Sequence, residues 1–315
     1  MRDDDELVVI GGSASPRLTK NICKILDVPV GKGEVHQFSD GNLFVKVGQN
    51  VRGRHVYLVQ STALPANDNF MELLFWIDAL KRASAASITV LIPYFSYAKG
   101  DKKDEPRVSI RARLCAQTIE TAGADRVVTL DLHAPQIQGF FDLPVDDLYA
   151  LPVLTDAIAA ENLDELVIVS PDAGFAKKAK QYARRLGAPL AIADKERIDH
   201  TENAHVADLI GDVEGKNAVI VDDFTITAGT LAEVADTLIQ RGARSVRAAV
   251  THGVFTRKAM SRLDDSAIQT LWVTDTVEKR PTRRSKRIVT VSVAPLFAEA
   301  IRRIHARESL SVLFS

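Results

Sequence analysis

Ala218-Val219-Ile220-Val221-Asp222-Asp223-Phe224-Thr225-Ile226-Thr227-Ala228-Gly229-Thr230-Leu231 runs from an apolar segment through two carboxylates into small and hydroxyl residues. The unbroken apolar run from Ala218 to Val221 reads as a strand buried on both faces, as in a parallel sheet. A helix follows, because Leu231, Val234, Ala235, Leu238 and Ile239 recur at helical spacing and Gly242 ends the pattern. Thr230 and Glu233 read as a capping box at its start. The backbone N–H groups of Thr227 to Thr230, the nearby hydroxyls and the positive end of the helix dipole would converge on a phosphate. Asp222 and Asp223 repel a phosphate, so they are assigned to sugar hydroxyls or to a metal. A phosphate beside hydroxyl acceptors points to a sugar phosphate.

Strand-like runs on either side repeat the same grammar. Leu7 to Ile10, Val56 to Gln60, Ile88 to Pro93 and Val127 to Leu132 alternate with helical patterns. A second series holds Val167 to Ser170, Leu190 to Ala193, Ala218 to Val221, Val246 to Thr251 and Leu271 to Val273. The fold expected is therefore α/β, with two tandem halves, each a mostly parallel sheet flanked by helices. The boundary is placed between residues 149 and 150, giving domains 1–149 and 150–315.

The chain has 315 residues, 46% hydrophobic and 26% charged, which suffices for two cores. A formal charge of -1 leaves no electrostatic footprint for nucleic acid or an anionic membrane, so neither is expected as a partner. Cys23 and Cys115 fit no zinc spacing and read as buried thiols of a cytoplasmic protein. No signal-type apolar core and no run of about 18 apolar residues stands in the sequence. Gly12-Ser13-Ala14-Ser15-Pro16 follows the first strand but matches neither a dinucleotide-binding fingerprint nor a P-loop. The basic run from Lys279 to Arg287 lacks interleaved aromatics and reads as a solvated loop.

The Asp222 to Thr230 turn resembles the ribose-phosphate loop of the phosphoribosyltransferase-type fold, in the version carried by the ribose-phosphate pyrophosphokinase family. Other segments resemble that family in its order. Phe38-Ser39-Asp40-Gly41-Asn42 is similar to a hairpin that reaches a neighbouring subunit and contacts adenine, with Asn42 where the family has Glu. Ser61 to Leu73 is similar to a long family segment, and Asp68 or Asn69 also reads as a helix cap there. Tyr97-Ala98-Lys99-Gly100-Asp101-Lys102-Lys103-Asp104 resembles an ATP-gripping loop in which Arg and Gln have become Lys99 and Gly100. Thr129 to Asp142, around His133, is close to a verbatim family signature, and Ser170-Pro171-Asp172-Ala173-Gly174-Phe175 also matches, with Phe175 where Gly is common.

The resemblance implies a magnesium-dependent enzyme that moves the diphosphoryl group of ATP onto the anomeric hydroxyl of ribose 5-phosphate. It assigns Lys195 and Arg197 to catalysis; residues two apart on an extended strand project to one side, so both cations would meet the transferring group. Asp222, Asp223, Thr225, Thr227, Ala228, Gly229 and Thr230 would bind the ribose phosphate. Phe38, Asp40, Asn42, Lys99, Asp101, Asp104 and His133 would bind ATP, and His133 and Asp172 would hold Mg2+. Ser309 and Ser311 would line a regulatory phosphate site. A homo-oligomer with active sites near subunit interfaces is expected. Ile226 stands where family loops place a third acid, and a non-catalytic regulatory homologue remains the alternative.

Overall fold

The computed structural model describes residues 7–196, 205–278 and 285–314, with the side chains of 194–196 and 205–207 outside that description. Contacts divide the chain into two compact units. The first holds the described residues up to Tyr149, with Thr276 to Glu278 and those from Val293 onward; the second holds Ala150 to Asp275 and Ser285 to Ser292.

The first unit runs β1 (Leu7–Gly11), α1 (Pro16–Leu26), β2 (Gly33–Gln37), β3 (Leu43–Val47), β4 (His55–Val59) and α2 (Ala66–Arg82). It continues through β5 (Ser87–Ile92), α3 (Arg111–Ala122), β6 (Arg126–Leu130) and β7 (Val145–Leu148). Strands β1, β4, β5, β6 and β7 form a parallel sheet in that order. Because helices cover such a sheet, its strands read as apolar runs, and Val56 to Val59 and Ile88 to Ile92 are buried throughout, the polar Thr89 included. The strands β2 and β3 pair antiparallel as a separate hairpin.

The second unit runs α4 (Leu151–Ala159), β8 (Leu166–Ser170), α5 (Ala176–Leu186), β9 (Leu190–Glu196), β10 (His205–Ile210), β11 (Asn217–Thr225) and α6 (Gly229–Gln240). It closes with β12 (Ser245–Gly253), α7 (Arg257–Asp265), β13 (Ile268–Thr274) and β14 (Ile288–Val291). Among the described residues the sheet order is β10-β9-β8-β11-β12-β13-β14, with only the β9–β10 pair antiparallel. Chain order runs outward from β8 in one direction and outward from β11 in the other. The reversal between these neighbours is where an open α/β sheet leaves a crevice at its carboxyl edge.

The last helix, α8 (Ala294–His305), was expected with the second domain but packs on α1 in the first unit. The reason is its buried stripe of Phe297, Ala298 and Ile301, which needs an apolar cover, and α1 offers buried Leu18 and Ile22. Glu278 ties the preceding segment to the same unit. Its carboxylate accepts the backbone N–H of Leu18 at 2.7 Å and of Arg17 at 3.1 Å, at the free end of α1.

Two capping expectations fail. Helix α6 has Ala228 at its N-cap and no side-chain hydrogen bond from that residue, so Thr230 sits within the first turn and no capping box forms with Glu233. Helix α2 begins at Ala66 behind Pro65, which places Asp68 and Asn69 inside it. Asn69 turns inward and its Nδ2 donates to the carbonyl of Ala63 at 2.6 Å.

Candidate active site

The second unit brings most of the ribose-phosphate set together at the β8–β11 reversal. Asp172 follows β8, and Asp222 and Asp223 lie on β11, which extends to Thr225, four residues past the end expected from the apolar run. The extension is held by β12, since Asp222 lies opposite Val250, Phe224 opposite His252 and Thr225 opposite Gly253. Asp223 is 5% exposed. Burial first, then the negative charge of Asp223 and that of Asp172, push the Asp222 carboxyl well above the usual carboxylate range. Crowded acids of this kind gain from a cation or from hydroxyl donors between them.

The loop beyond is shaped to present backbone. Val254 N–H donates to the Thr225 carbonyl at 2.9 Å, and Thr256 N–H donates to the Ile226 carbonyl at 2.9 Å. Ala228 then adopts a left-handed conformation, φ 56° and ψ 10°, a region that L side chains visit at a cost of about 1–2 kcal/mol. That turn starts α6 with no cap from the N-cap side chain; the Gly229 N–H reaches Thr227 Oγ1 only at a long 3.4 Å. Gly229 has an ordinary backbone, yet a Cβ placed there would lie 3.0 Å from Nη1 of Arg262 on α7 and 3.5 Å from Oγ1 of Thr227. Nothing in the sequence pattern singled out Arg262.

Asp172 Oδ1 accepts the Phe175 N–H at 2.9 Å, which closes the turn ahead of α5. Lys178 lies 5.7 Å from the centre of the Phe175 ring, a cation–π pairing. Lys195 lies on β9, paired with Val206 of β10. Arg197 lies outside the described residues.

On the first unit, Asp131 takes a left-handed φ of 47° just after β6, and its N–H donates to the Leu148 carbonyl at 2.8 Å. The sharp turn leaves His133 exposed at the sheet's carboxyl end. Gln136 Nε2 donates to Asp101 Oδ2 at 2.8 Å, so the His133 segment and the charged loop are joined. Lys99 and Asp104 lie on that loop, with Lys99 in a short 3₁₀ turn (Ala98–Gly100). At the hairpin tip, Phe38 is 56% exposed and packs edge-on against Phe44. Asn42 Nδ2 donates to Asp40 Oδ2 at 2.7 Å and its backbone N–H to Oδ1 at 3.0 Å; both bonds hold the Asp40 carboxyl below its ordinary range. Ser309 and Ser311 share a 3.0 Å hydrogen bond, and Ser311 borders a recess of about 450 Å³ with Arg126, Asp146, Arg307 and Phe314. Cys23 and Cys115 are buried thiols, each pushed up by burial to about 11, and so are protonated and unreactive near neutrality.

Among the described residues no group of three or more His, Cys, Asp or Glu side chains converges to hold a metal, and no helix is long and apolar enough to cross a membrane.

Comparison with known proteins fits this layout. A family model described as the N-terminal domain of ribose phosphate pyrophosphokinase matches residues 7–123, and one described as the phosphoribosyl synthetase-associated domain matches residues 204–315. Ribose-phosphate pyrophosphokinase of Bacillus subtilis is 44% identical over 312 residues, covering 99% of this chain and 98% of its own. The Chromobacterium violaceum protein of the same name is 47% identical over 313 residues, covering 99% and 95%. The crystal structure of phosphoribosylpyrophosphate synthetase from Mycobacterium smegmatis matches with a TM-score of 0.89 at 39% identity, over 96% of this chain and 99% of that one. On full-length identity, matched domain models and shared fold together, the chain belongs to the ribose-phosphate pyrophosphokinase family.

Proposed function

We infer that the chain is a ribose-phosphate diphosphokinase, transferring the diphosphoryl group of ATP to ribose 5-phosphate to give 5-phosphoribosyl 1-diphosphate and AMP. The observation that carries this reading is the joining, in one unit, of crowded carboxylates (Asp172, Asp222, Asp223) to a helix start at Gly229 whose N-cap side chain offers no acceptor. Carboxylates accept from ribose hydroxyls, and the N–H groups of the helix start, with the nearby hydroxyls, donate to the 5-phosphate. Thr225, Thr227, Ala228, Gly229 and Thr230 form that cradle.

The anomeric oxygen attacks the β-phosphorus in line, the bond from that phosphorus to the α,β-bridging oxygen breaks, AMP leaves with the oxygen, and the hydroxyl proton is released. Catalysis then consists of orientation and charge stabilisation, with Lys195 and Arg197 as the cations on the transferring group. No covalent enzyme intermediate is required. Magnesium suits the acid set, because it takes oxygen ligands from one or two carboxylates together with substrate phosphates and water. Asp172 is the magnesium ligand proposed on the second unit. Bound there, magnesium would neutralise charge on the phosphates.

Lys99, Asp101, Asp104 and His133 are proposed to contact ATP, and the exposed hairpin tip of Phe38, Asp40 and Asn42 to reach the adenine held by a neighbouring subunit of a homo-oligomer. Ser309 and Ser311 are proposed to bind a regulatory phosphate beside Arg126. The test is a coupled assay: protein, ATP, ribose 5-phosphate and magnesium should release AMP in step with phosphoribosyl diphosphate. A folded, ligand-binding protein without turnover would instead be a regulatory homologue.

A further inference from the structure

We propose that Arg262 is a further phosphate-positioning residue of the ribose-phosphate site, reaching from α7 over Gly229 to the sugar's 5-phosphate; this rests on the function inferred above. The segment from Asp222 to Leu231 carries two carboxylates and no Lys or Arg. A phosphate dianion seated there would feel the field of Asp222, Asp223 and Asp172 with only amides and hydroxyls to offset it. Arg262 places a guanidinium nitrogen 3.0 Å from the point where a Gly229 Cβ would stand, and Thr227 Oγ1 lies 3.5 Å from the same point. The residue is exposed, and among the described residues no ion pair or hydrogen bond occupies it. Its fork can therefore turn to a phosphate, which a guanidinium binds through two parallel N–H donors.

The same geometry explains Gly229. Its backbone lies in the helix rather than in the left-handed region, so conformational freedom is not what the position requires. Space is: a methyl group would press on the Arg262 side chain. Helices α6 and α7 pack together through buried Leu231, Val234, Met260 and Leu263, which keeps Arg262 at that distance from the loop. Gly229 and Arg262 thus form a pair, one clearing the room the other uses.

The experiment is a double-mutant cycle on the full-length protein with Arg262→Ala and Gly229→Ala, measuring kcat and KM for each substrate. Arg262→Ala should raise KM for ribose 5-phosphate by about tenfold or more, the scale of one lost charge-assisted contact, while KM for ATP stays level. Arg262→Lys should recover part of the loss. Gly229→Ala should weaken ribose 5-phosphate binding when Arg262 is intact and much less when it is combined with Arg262→Ala, which reports the contact between the two positions, while the selective loss in Arg262→Ala and its partial rescue by Lys separate phosphate binding from a merely structural role. Direct calorimetry of ribose 5-phosphate against wild type and Arg262→Ala supplies the same comparison without turnover. An active wild type whose Arg262→Ala variant keeps its affinity overturns the role of Arg262 alone; a wild type that neither turns over nor binds ribose 5-phosphate overturns the parent reading as well.

Discussion

The backbone N–H of Asp223 donates to Oδ1 of Asp222 at 2.9 Å, and these consecutive residues stand near the carboxyl end of β11, Asp223 buried and Asp222 half-buried. One hydrogen bond does not offset the burial and repulsion that raise the Asp222 carboxyl. A folded-state pKa above the unfolded value near about 3.9 means the folded protein binds more protons across that window, so stability falls as pH rises through it. In chelator-treated protein, Asp222→Asn should therefore raise the midpoint of denaturant unfolding at pH 8, with the gain vanishing below about pH 4. Turnover should fall steeply. A variant less stable than wild type at pH 8 would show that the acids are not crowded.

Ala228 stands at φ 56° and is 1% exposed. A β-branched residue tolerates neither that backbone nor that space, so Ala228→Val should cost about 2–4 kcal/mol and abolish ribose 5-phosphate binding. Ala228→Gly should stay within about 1 kcal/mol of wild type, because relief of the backbone offsets the added freedom of the unfolded chain. Equal effects from both substitutions would refute the left-handed turn.

Glu72 is buried and accepts the Ser13 N–H at 2.7 Å, the Ser13 hydroxyl, and Trp76 Nε1–H at 3.2 Å. Removing it strands these donors beneath the loop after β1, so Glu72→Ala should destabilise by about 2–4 kcal/mol in denaturant unfolding. Glu72→Gln keeps an acceptor and should cost less.

Asn42 should control the titration of Asp40. With its side-chain donor gone, Asn42→Ala should move the Asp40 carboxyl upward towards its ordinary range, read by carbon-detected NMR titration. An unchanged midpoint would mean that the backbone bond from residue 42 accounts for the whole effect.

Lys195→Ala combined with Arg197→Ala should lower kcat by at least about a hundredfold while ribose 5-phosphate binding survives, because both are proposed to act on the transferring group. Near-normal kcat would remove them from the mechanism.

Short runs of apolar residues announced the parallel strands because both faces of such a strand must be dry, leaving no polar position to blur the signal. Two edge strands lack that mark: Val145–Leu148 holds two aspartates, and Ile288–Val291 is exposed at its centre, so neither stood out. The capping of α6 was misread because Thr230-x-x-Glu233 has the right residues too deep in the first turn, and only the left-handed Ala228 shows where the helix starts. Local pattern therefore determined the α/β class and the kinship of the whole chain. What the tertiary structure alone decided was which residues from distant segments stand together: Asp172 beside Asp222 at the sheet reversal, Glu278 on the end of α1, Arg262 over Gly229. Such pairs depend on strand order and helix packing, and those are settled by burial across the whole unit, which no window of neighbouring residues records.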